Sequence, residues 1–454
     1  MSQRIYFIST FGNIFYEAIR ALLSLLTCKD TSPILPWPTC LINGRFKSVQ
    51  ISAEKLGMNV PGINENILSI IAALNSGKRL SVKKPDLHNM DWGAIVETIQ
   101  KSGMAGYFYA LFSQTEAHGD IPATVIETLR KSSRRVAAQN VFYESQCARV
   151  LKGLSAAGVE NIILKGLSYM QDIYGDTSAR TMSDIDVLIR PDDRMKALEY
   201  LLAEGYTNYV IPSFQGNPDD FANLTDLTGE SHFMKKTGAL TVSIDLHWRL
   251  RARYPMNDYL VLDGFPWWEH SGAVIIGGSA AKRLSPEMQF IHLALHFAIH
   301  HQYTGLRWFI ELGLFIKRYG HDLDWEFIYR TASSQDCRKL LGVCLRLVAD
   351  YMGESWIDSE IWRRFLPQGF MLPGEYRFYK NCLMREDRSR LASYICMPLS
   401  SATLAGRLRL ISRFLLDSEG VIFWRGSDTR IPKWLKPFYS LYIIGSQLLR
   451  GSRA

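Results

Sequence analysis

The sequence predicts an α+β fold, with a small mixed β-sheet core inserted between helical regions in a chain that is largely α-helical overall. Three observations predict it. From about Glu65 to Lys152, and again after Ser285, apolar residues recur at the three- and four-residue spacing of amphipathic helices. Between these stretches lie short runs bounded by turn residues, "NIIL", "SDIDVLIR" and "SHFMKKTGALTVSIDLHWRL", which read as strands. At 454 residues the chain exceeds one ordinary core. We divide it into an N-terminal helix and connector (1–64), a helical lead-in (65–158), the α/β core (159–284) and a C-terminal helical domain (285–454).

The elements follow in order. "IYFISTFGNIFYEAIRALLSLLTC" is apolar, but Glu17 and Arg20 interrupt it, so it reads as an amphipathic helix on the protein rather than a span or a signal peptide. "DTSPILPWPTCLING" (30–44) is Pro-rich and reads as an extended connector. "ENILSIIAALNSG", "MDWGAIVETIQKSG" and the long run "IPATVIETLRKSSRRVAAQNVFYESQCARVLKGLSAAG" are helical, with stops at Gly103 and Gly158. "NIIL" is a strand running into Lys165-Gly166, and "LSYMQDIYG" is a helix. "SDIDVLIR" is a second strand, and "DDRMKALEYLLAEGY" is a helix opened by Pro191-Asp192-Asp193. Two further strands turn about Thr237-Gly238, and helices follow Ser285 to the end.

Composition narrows the function. Hydrophobic residues make up 47% and charged residues 21%, a globular balance. A net charge of +8 suits anionic ligands without demanding a polynucleotide, because the cations are dispersed rather than interleaved with aromatics on one stripe. Seven scattered cysteines without a CxxC fit neither a zinc cluster nor a disulfide framework and point to a reducing cytoplasm. The marks of α/β-hydrolases, dinucleotide-binding folds and P-loop proteins are absent. After Asp428 the chain has no acids, and "RIPKWLKPFYSLYIIGSQLLRGSRA" mixes cations with aromatics. It reads as a docked last helix or as a peripheral membrane or partner surface.

The chemistry gathers on three acids. Asp184 and Asp186 sit one residue apart in an apolar run, so a strand points both the same way, about 7 Å apart. Asp245, between Ile244 and Leu246, lies in a second strand that could run beside the first. Three convergent carboxylates suit a hard divalent cation, Mg²⁺ or Mn²⁺, shared with substrate phosphates. Lys165 and Gly166, at the end of a strand and the start of a helix, offer a cation and backbone N–H groups to a triphosphate.

The set "ILKG…YGDTSARTMSDIDVLI…IDLHWRL" resembles the uncharacterised nucleotidyltransferase family of the DNA polymerase beta-like superfamily. The resemblance covers roughly residues 65–330 and is most specific in the DID strand together with "DLHWR". It implies that Asp184, Asp186 and Asp245 are catalytic metal ligands and that Gly166 forms the phosphate-admitting turn. The implied donor is a nucleoside triphosphate, ATP first, and the acceptor is a small molecule, glycan or protein. Two departures stand out. Gly166 is followed by Leu167, leaving Ser168 one place late, and the gap to Asp184 is long, so "YGDTSART" must loop near the site and brings Arg180 with it.

The expected nucleotide-binding set is therefore Lys165, Gly166, Ser168, Arg180, Ser183, His247 and His296. His247 shares the face of Asp245, whereas Trp248 faces the other way and reads as core. His292, His296 and His300 form one stripe on a helix, either packed on the core or lining the site, and Glu311 is placed to pair with a histidine. A fold-retaining nucleotide-binding protein without turnover is the alternative to an enzyme.

Overall fold

The computed structural model describes residues 39–42, 45–48, 63–75, 87–114, 120–208, 229–238, 240–250, 262–353, 356–385, 396 and 398–416. The N-terminal amphipathic helix and the basic, aromatic C-terminal segment lie outside these residues. The chain divides into two compact units. One comprises Ile63–His301 and Gly305–Phe365, and the other Met1–Gly62, Gln302–Thr304 and Leu366–Ala454. In the second unit β1 (Thr39–Ile42) pairs antiparallel with β2 (Arg45–Ser48), so the end of the expected connector is strand. The same unit holds helices Glu375–Leu383 and Leu404–Leu416, where Arg407 Nη2 meets Glu375 Oε2 at 3.3 Å. Among the described residues no helix is long and apolar enough to cross a membrane.

The first unit carries the core. Helices α1 (Ile63–Asn75), α2 (Trp92–Lys101), α3 (Ala105–Ser113) and α4 (Ala123–Ala156) form the lead-in. Asp91 caps α2 by accepting from the Ala94 N–H at 3.0 Å, and Gly103 turns the chain away at φ 73°. Only a residue without a Cβ takes that left-handed angle at low cost. Helix α4 is a single rod of 34 residues, the longest described helix, and lies along the sheet.

That sheet has seven strands. They are β3 (Asn161–Ile163), β4 (Ile185–Ile189), β5 (Thr207–Asn208), β6 (Glu230–Thr237), β7 (Leu240–His247), β8 (Ser271–Ile276) and β9 (Ser279–Leu284). Their order is β5-β6-β7-β4-β3-β9-β8. The β4–β7 and β3–β9 pairs are parallel and the rest antiparallel, so the sheet is mixed, as the sequence predicts. The β8–β9 hairpin has no counterpart in the sequence reading. Its turn is Gly277-Gly278, at φ 51° and 78°, the pair of left-handed residues that a two-residue hairpin needs.

Alternation sorts the two faces of the sheet. Val187, Ile189, Val242, Ile244, Leu246 and Phe233 point one way, against Leu151 and Leu154 of α4 and Leu198 and Leu201 of the helix α6 (Arg194–Ala203). Each such side chain contributes about 1.5–3 kcal/mol on burial, and together they fix the register. Trp248 joins this core, as expected. The opposite face carries the polar residues. Beside it run α7 (Pro286–Leu295), a π turn at His296–His300 and α8 (Leu306–Tyr319). Short α5 (Met170–Tyr174) follows a 3-10 turn at Gly166–Ser168, where the sequence reading drew one continuous helix.

Candidate active site

The strand register brings the acids together. Asp186 of β4 stands opposite Asp245 of β7 on parallel neighbours, and one step along, Leu188 stands opposite His247. Asp184 immediately precedes β4, two residues before Asp186. On the far side of β7, His232 of β6 stands opposite Asp245, and Glu230 opposite His247. Asp186, Glu230, His232, Asp245 and His247 therefore share one face, and Asp184, just before β4, feels the charges of Asp186 and Asp245. Neither Glu230 nor His232 is singled out by the sequence, because only the β6–β7 register places them there.

The like charges are offset within the chain. Lys165 Nζ lies 2.7 Å from Asp186 Oδ1, and both side chains are buried. His247 Nε2 reaches the same oxygen at 3.2 Å, while its Nδ1 faces Glu230 Oε2 at 3.0 Å. His232 Nδ1 meets Asp245 Oδ1 at 2.6 Å. Burial alone would raise the Asp186 carboxyl, but Lys165 and His247 hold it well below the usual carboxylate range. Burial pushes His247 down, and its hydrogen bonds to Asp186 and Glu230 outweigh that, carrying it up to about 10. Glu230, raised by burial, is drawn down to about 2 by His247. The hydrogen bond to Asp245 raises His232. Asp184 differs: burial and then the Asp186 charge push it up. Lys165 and His247 thus set positive charge beside Asp186, and His232 stands beside Asp245.

The Lys165-Gly166 turn is tight. Lys165 adopts φ 41° and ψ −158°, a conformation that costs a non-glycine residue about 1–3 kcal/mol. Gly166 is held at φ 35°, and a Cβ there would come within 2.6 Å of the Met182 methyl and 3.1 Å of Arg180 Nη1. Ser168 is buried, and its hydroxyl donates to the Lys165 carbonyl at 2.6 Å, so it braces the turn. Ser183 is exposed, with its hydroxyl 3.1 Å from Asp184 Oδ1.

The long link from Gly166 to Asp184 is clamped by α4. Asn140, fully buried, donates to the carbonyls of Thr177 at 2.5 Å and Arg180 at 2.6 Å, and accepts from the Met182 N–H at 3.0 Å. Gln139 donates to the Met182 carbonyl at 2.8 Å. Arg180 lies behind the Gly166 turn, 3% exposed, with Nε 3.4 Å from Glu311 Oε2. Glu311 thus pairs with Arg180 and not with a histidine, because α8 presents it to the clamped loop.

One cleft opens on the polar face. It is lined by Lys165, Asp186, Asp245, Glu230, His232 and His247 from the sheet side, and by His292, Leu295, His296 and His300 from the helix. Leu250, Leu262 and Trp267 complete it. The four-residue histidine stripe thus faces the cleft. The π turn keeps His296 and His300 stacked at 5.0 Å between ring centres, and His301 Nε2 lies 3.0 Å from His296 Nε2. Burial pushes His292 and His296 well below the usual histidine value, so both are neutral.

Three neighbouring carboxylates form a hard-oxygen donor set that suits Mg²⁺. Asp186 turns toward Lys165 and His247, Asp245 toward His232, and Asp184 toward the Ser183 hydroxyl. Among the described residues no three His, Cys, Asp or Glu side chains are gathered closely enough to hold a metal ion. The donor types fit the ion.

No curated protein and no solved structure matches the chain. A family profile described as uncharacterised nucleotidyltransferase matches residues 88–353, which take in helices α2 to α4, the whole sheet and the histidine helix. With its in-register acids, glycine turn and mixed sheet, the chain belongs to the uncharacterised nucleotidyltransferase family.

Proposed function

We propose that the protein transfers a nucleoside monophosphate from a nucleoside triphosphate, ATP first among them, to an acceptor oxygen and releases pyrophosphate. The observation that carries this reading is the register of Asp186 with Asp245, with Asp184 two residues before Asp186. Asp184, Asp186 and Asp245 would hold Mg²⁺ or Mn²⁺, which when bound offsets phosphate charge and assists in-line attack. Lys165 and the Gly166 turn face the triphosphate, with Arg180 supporting them from behind. Asp245 takes the proton of the attacking hydroxyl, and His232 orients that carboxylate from 2.6 Å. The neutral His292 and His296, with Trp267, shape the acceptor end of the cleft. The acceptor is a small molecule, a glycan or a protein side chain.

A second reading rests on the Lys165–Asp186 contact, which neutralises the central acid without an ion. On that reading the protein binds nucleotide and does not turn it over. Screening triphosphates and acceptors for pyrophosphate release with Mg²⁺, with mass spectrometry of the products, separates the two. Release that depends on acceptor and metal supports transfer. Tight triphosphate binding without release under any pairing supports the binding protein.

A further inference from the structure

Near Asp184, and outside the lining of the histidine cleft, two arginines lie close to Glu311. Arg180 and Arg307 lie over the same indole, with guanidinium carbons 5.7 Å and 4.1 Å from the centre of the Trp308 ring. Glu311 is the acid nearest Arg180, yet its Oε2 and Arg180 Nε meet at 3.4 Å without hydrogen-bond geometry, and both atoms are buried and unsatisfied. A further Arg180 nitrogen, Nη1, is spent on the Met182 sulfur at 3.1 Å, a weak acceptor. Arg307 is partly exposed and makes no hydrogen bond or ion pair with any described residue. Its Nη1 reaches to 3.5 Å from where a Gly103 Cβ would stand, so the glycine turn after α2 leaves it room. The Tyr174 hydroxyl, buried and without a hydrogen-bond partner, feels both arginines and Glu311.

Glu311 and Asp184 act on both arginines, yet neither makes an ion pair with Arg307, whose guanidinium is left without an acid in contact. Such a charge is costly unless an anion arrives to share it. Burial and the neighbouring Arg180 charge pull Arg307 down to about 10, against the opposing effect of Glu311 and Asp184. The flat fork of an arginine suits paired phosphate oxygens. Two environments meet at Trp308, whose ring centre lies 4.1 Å from the Arg307 guanidinium carbon and 5.1 Å and 4.3 Å from the centres of the His296 and His301 rings. Neutral histidines and Trp267 line the cleft on one side, and Arg180 and Arg307, which both feel the Asp184 charge, lie outside that lining.

We infer that Arg307, with Arg180 behind it, seats the two terminal phosphates of the nucleotide and holds them as the pyrophosphate they become. The acceptor then enters from the histidine side. This deepens the nucleotidyl-transfer reading and rests on it. In that reaction the acceptor oxygen forms a bond to the α-phosphorus and gives up its proton. The bond from the α-phosphorus to the bridging oxygen breaks, and its electron pair leaves with pyrophosphate. The charge that builds on that oxygen is the charge the arginine pair offsets.

The test is calorimetric binding of inorganic pyrophosphate and of AMP to the full chain, beside ATP-dependent pyrophosphate release by the wild type. Arg307→Gln should weaken pyrophosphate about tenfold or more, leave AMP affinity unchanged and leave the melting temperature near that of the wild type. Should Arg307→Gln fail to fold, Arg307→Lys keeps the charge without the fork and should still lose about threefold or more. Pyrophosphate binding equal to wild type in the folded variant overturns the inference while a releasing wild type leaves the transfer reading standing. A wild type that turns over yet binds no pyrophosphate overturns it also. A wild type that neither binds ATP nor releases pyrophosphate removes the parent reading and this inference together.

Discussion

Replacing Asn140 with alanine should unfasten the loop that carries Arg180 and Asp184. The Asn140 amide is fully buried and makes three hydrogen bonds to loop backbone, to Thr177 O, Arg180 O and Met182 N. Each is worth about 1 kcal/mol net, and the Met182 N–H left unsatisfied adds about 1–3 kcal/mol. The sum is a loss of about 4–6 kcal/mol if the loop stays in place, and less if it detaches to reach water. Urea unfolding followed by circular dichroism measures it, with Val141→Ala as the control. Val141 is its neighbour on the same helix, 61% exposed, and should move stability by no more than about 0.5 kcal/mol. A detached loop should also weaken triphosphate binding, since Arg180 and Asp184 are positioned by it. An Asn140→Ala protein within about 1 kcal/mol of wild type, with unchanged nucleotide affinity, would refute the clamp.

Other outcomes follow from the same geometry. Lys165→Ala and Arg180→Ala should each weaken triphosphate binding; if both leave it unchanged, the phosphates sit elsewhere. Lys165→Ala should in addition destabilise the metal-free protein, by about 3 kcal/mol or more, because Asp186 keeps its buried charge with only His247 beside it. Asp245→Asn should abolish transfer while sparing nucleotide binding, and Asp184→Asn should damage both; full transfer by Asp245→Asn would remove it from the mechanism. In metal-free protein, ring-nitrogen NMR should show His247 protonated well above neutrality, titrating at about 10. Its folded value lies above the unfolded one, about 6.5, so its contribution to stability is full below about pH 6.5 and is lost as pH rises toward 10. A His247 that titrates near 6.5 would contradict the Asp186–His247–Glu230 chain.

Much of this site was legible before the fold was known. Apolar residues alternating with Asp184, Asp186 and Asp245 fix which way each acid points, and a strand can hide its other face only in one register. The "DIDVLI" and "VSIDLH" segments therefore identify themselves. Glu230 and His232 do not, because they sit in "ESHFMKK", an unremarkable half-polar strand whose meaning depends on pairing across the Thr237-Gly238 turn. Asn140 looks like any polar residue in the middle of a helix, and its three partners lie 37, 40 and 42 positions away. Glu311 was drawn to a histidine by proximity in sequence, whereas the clamped loop delivers Arg180 to it. The β8–β9 hairpin carried a readable signal in Gly277-Gly278 between short alternating runs, which the helical stretch that follows overshadowed.

The central claim is that the α-phosphorus of a triphosphate is the atom transferred, under control of the three acids. Incubating the full chain with Mg²⁺, a screened acceptor and ATP labelled in turn on the α- or γ-phosphate tests it most directly. The α-label should appear on the acceptor and the γ-label in pyrophosphate, with both signals lost on chelation of the metal and in Asp186→Asn. A γ-label on the acceptor, or labelled triphosphate that passes only to free orthophosphate, would contradict nucleotidyl transfer by this site.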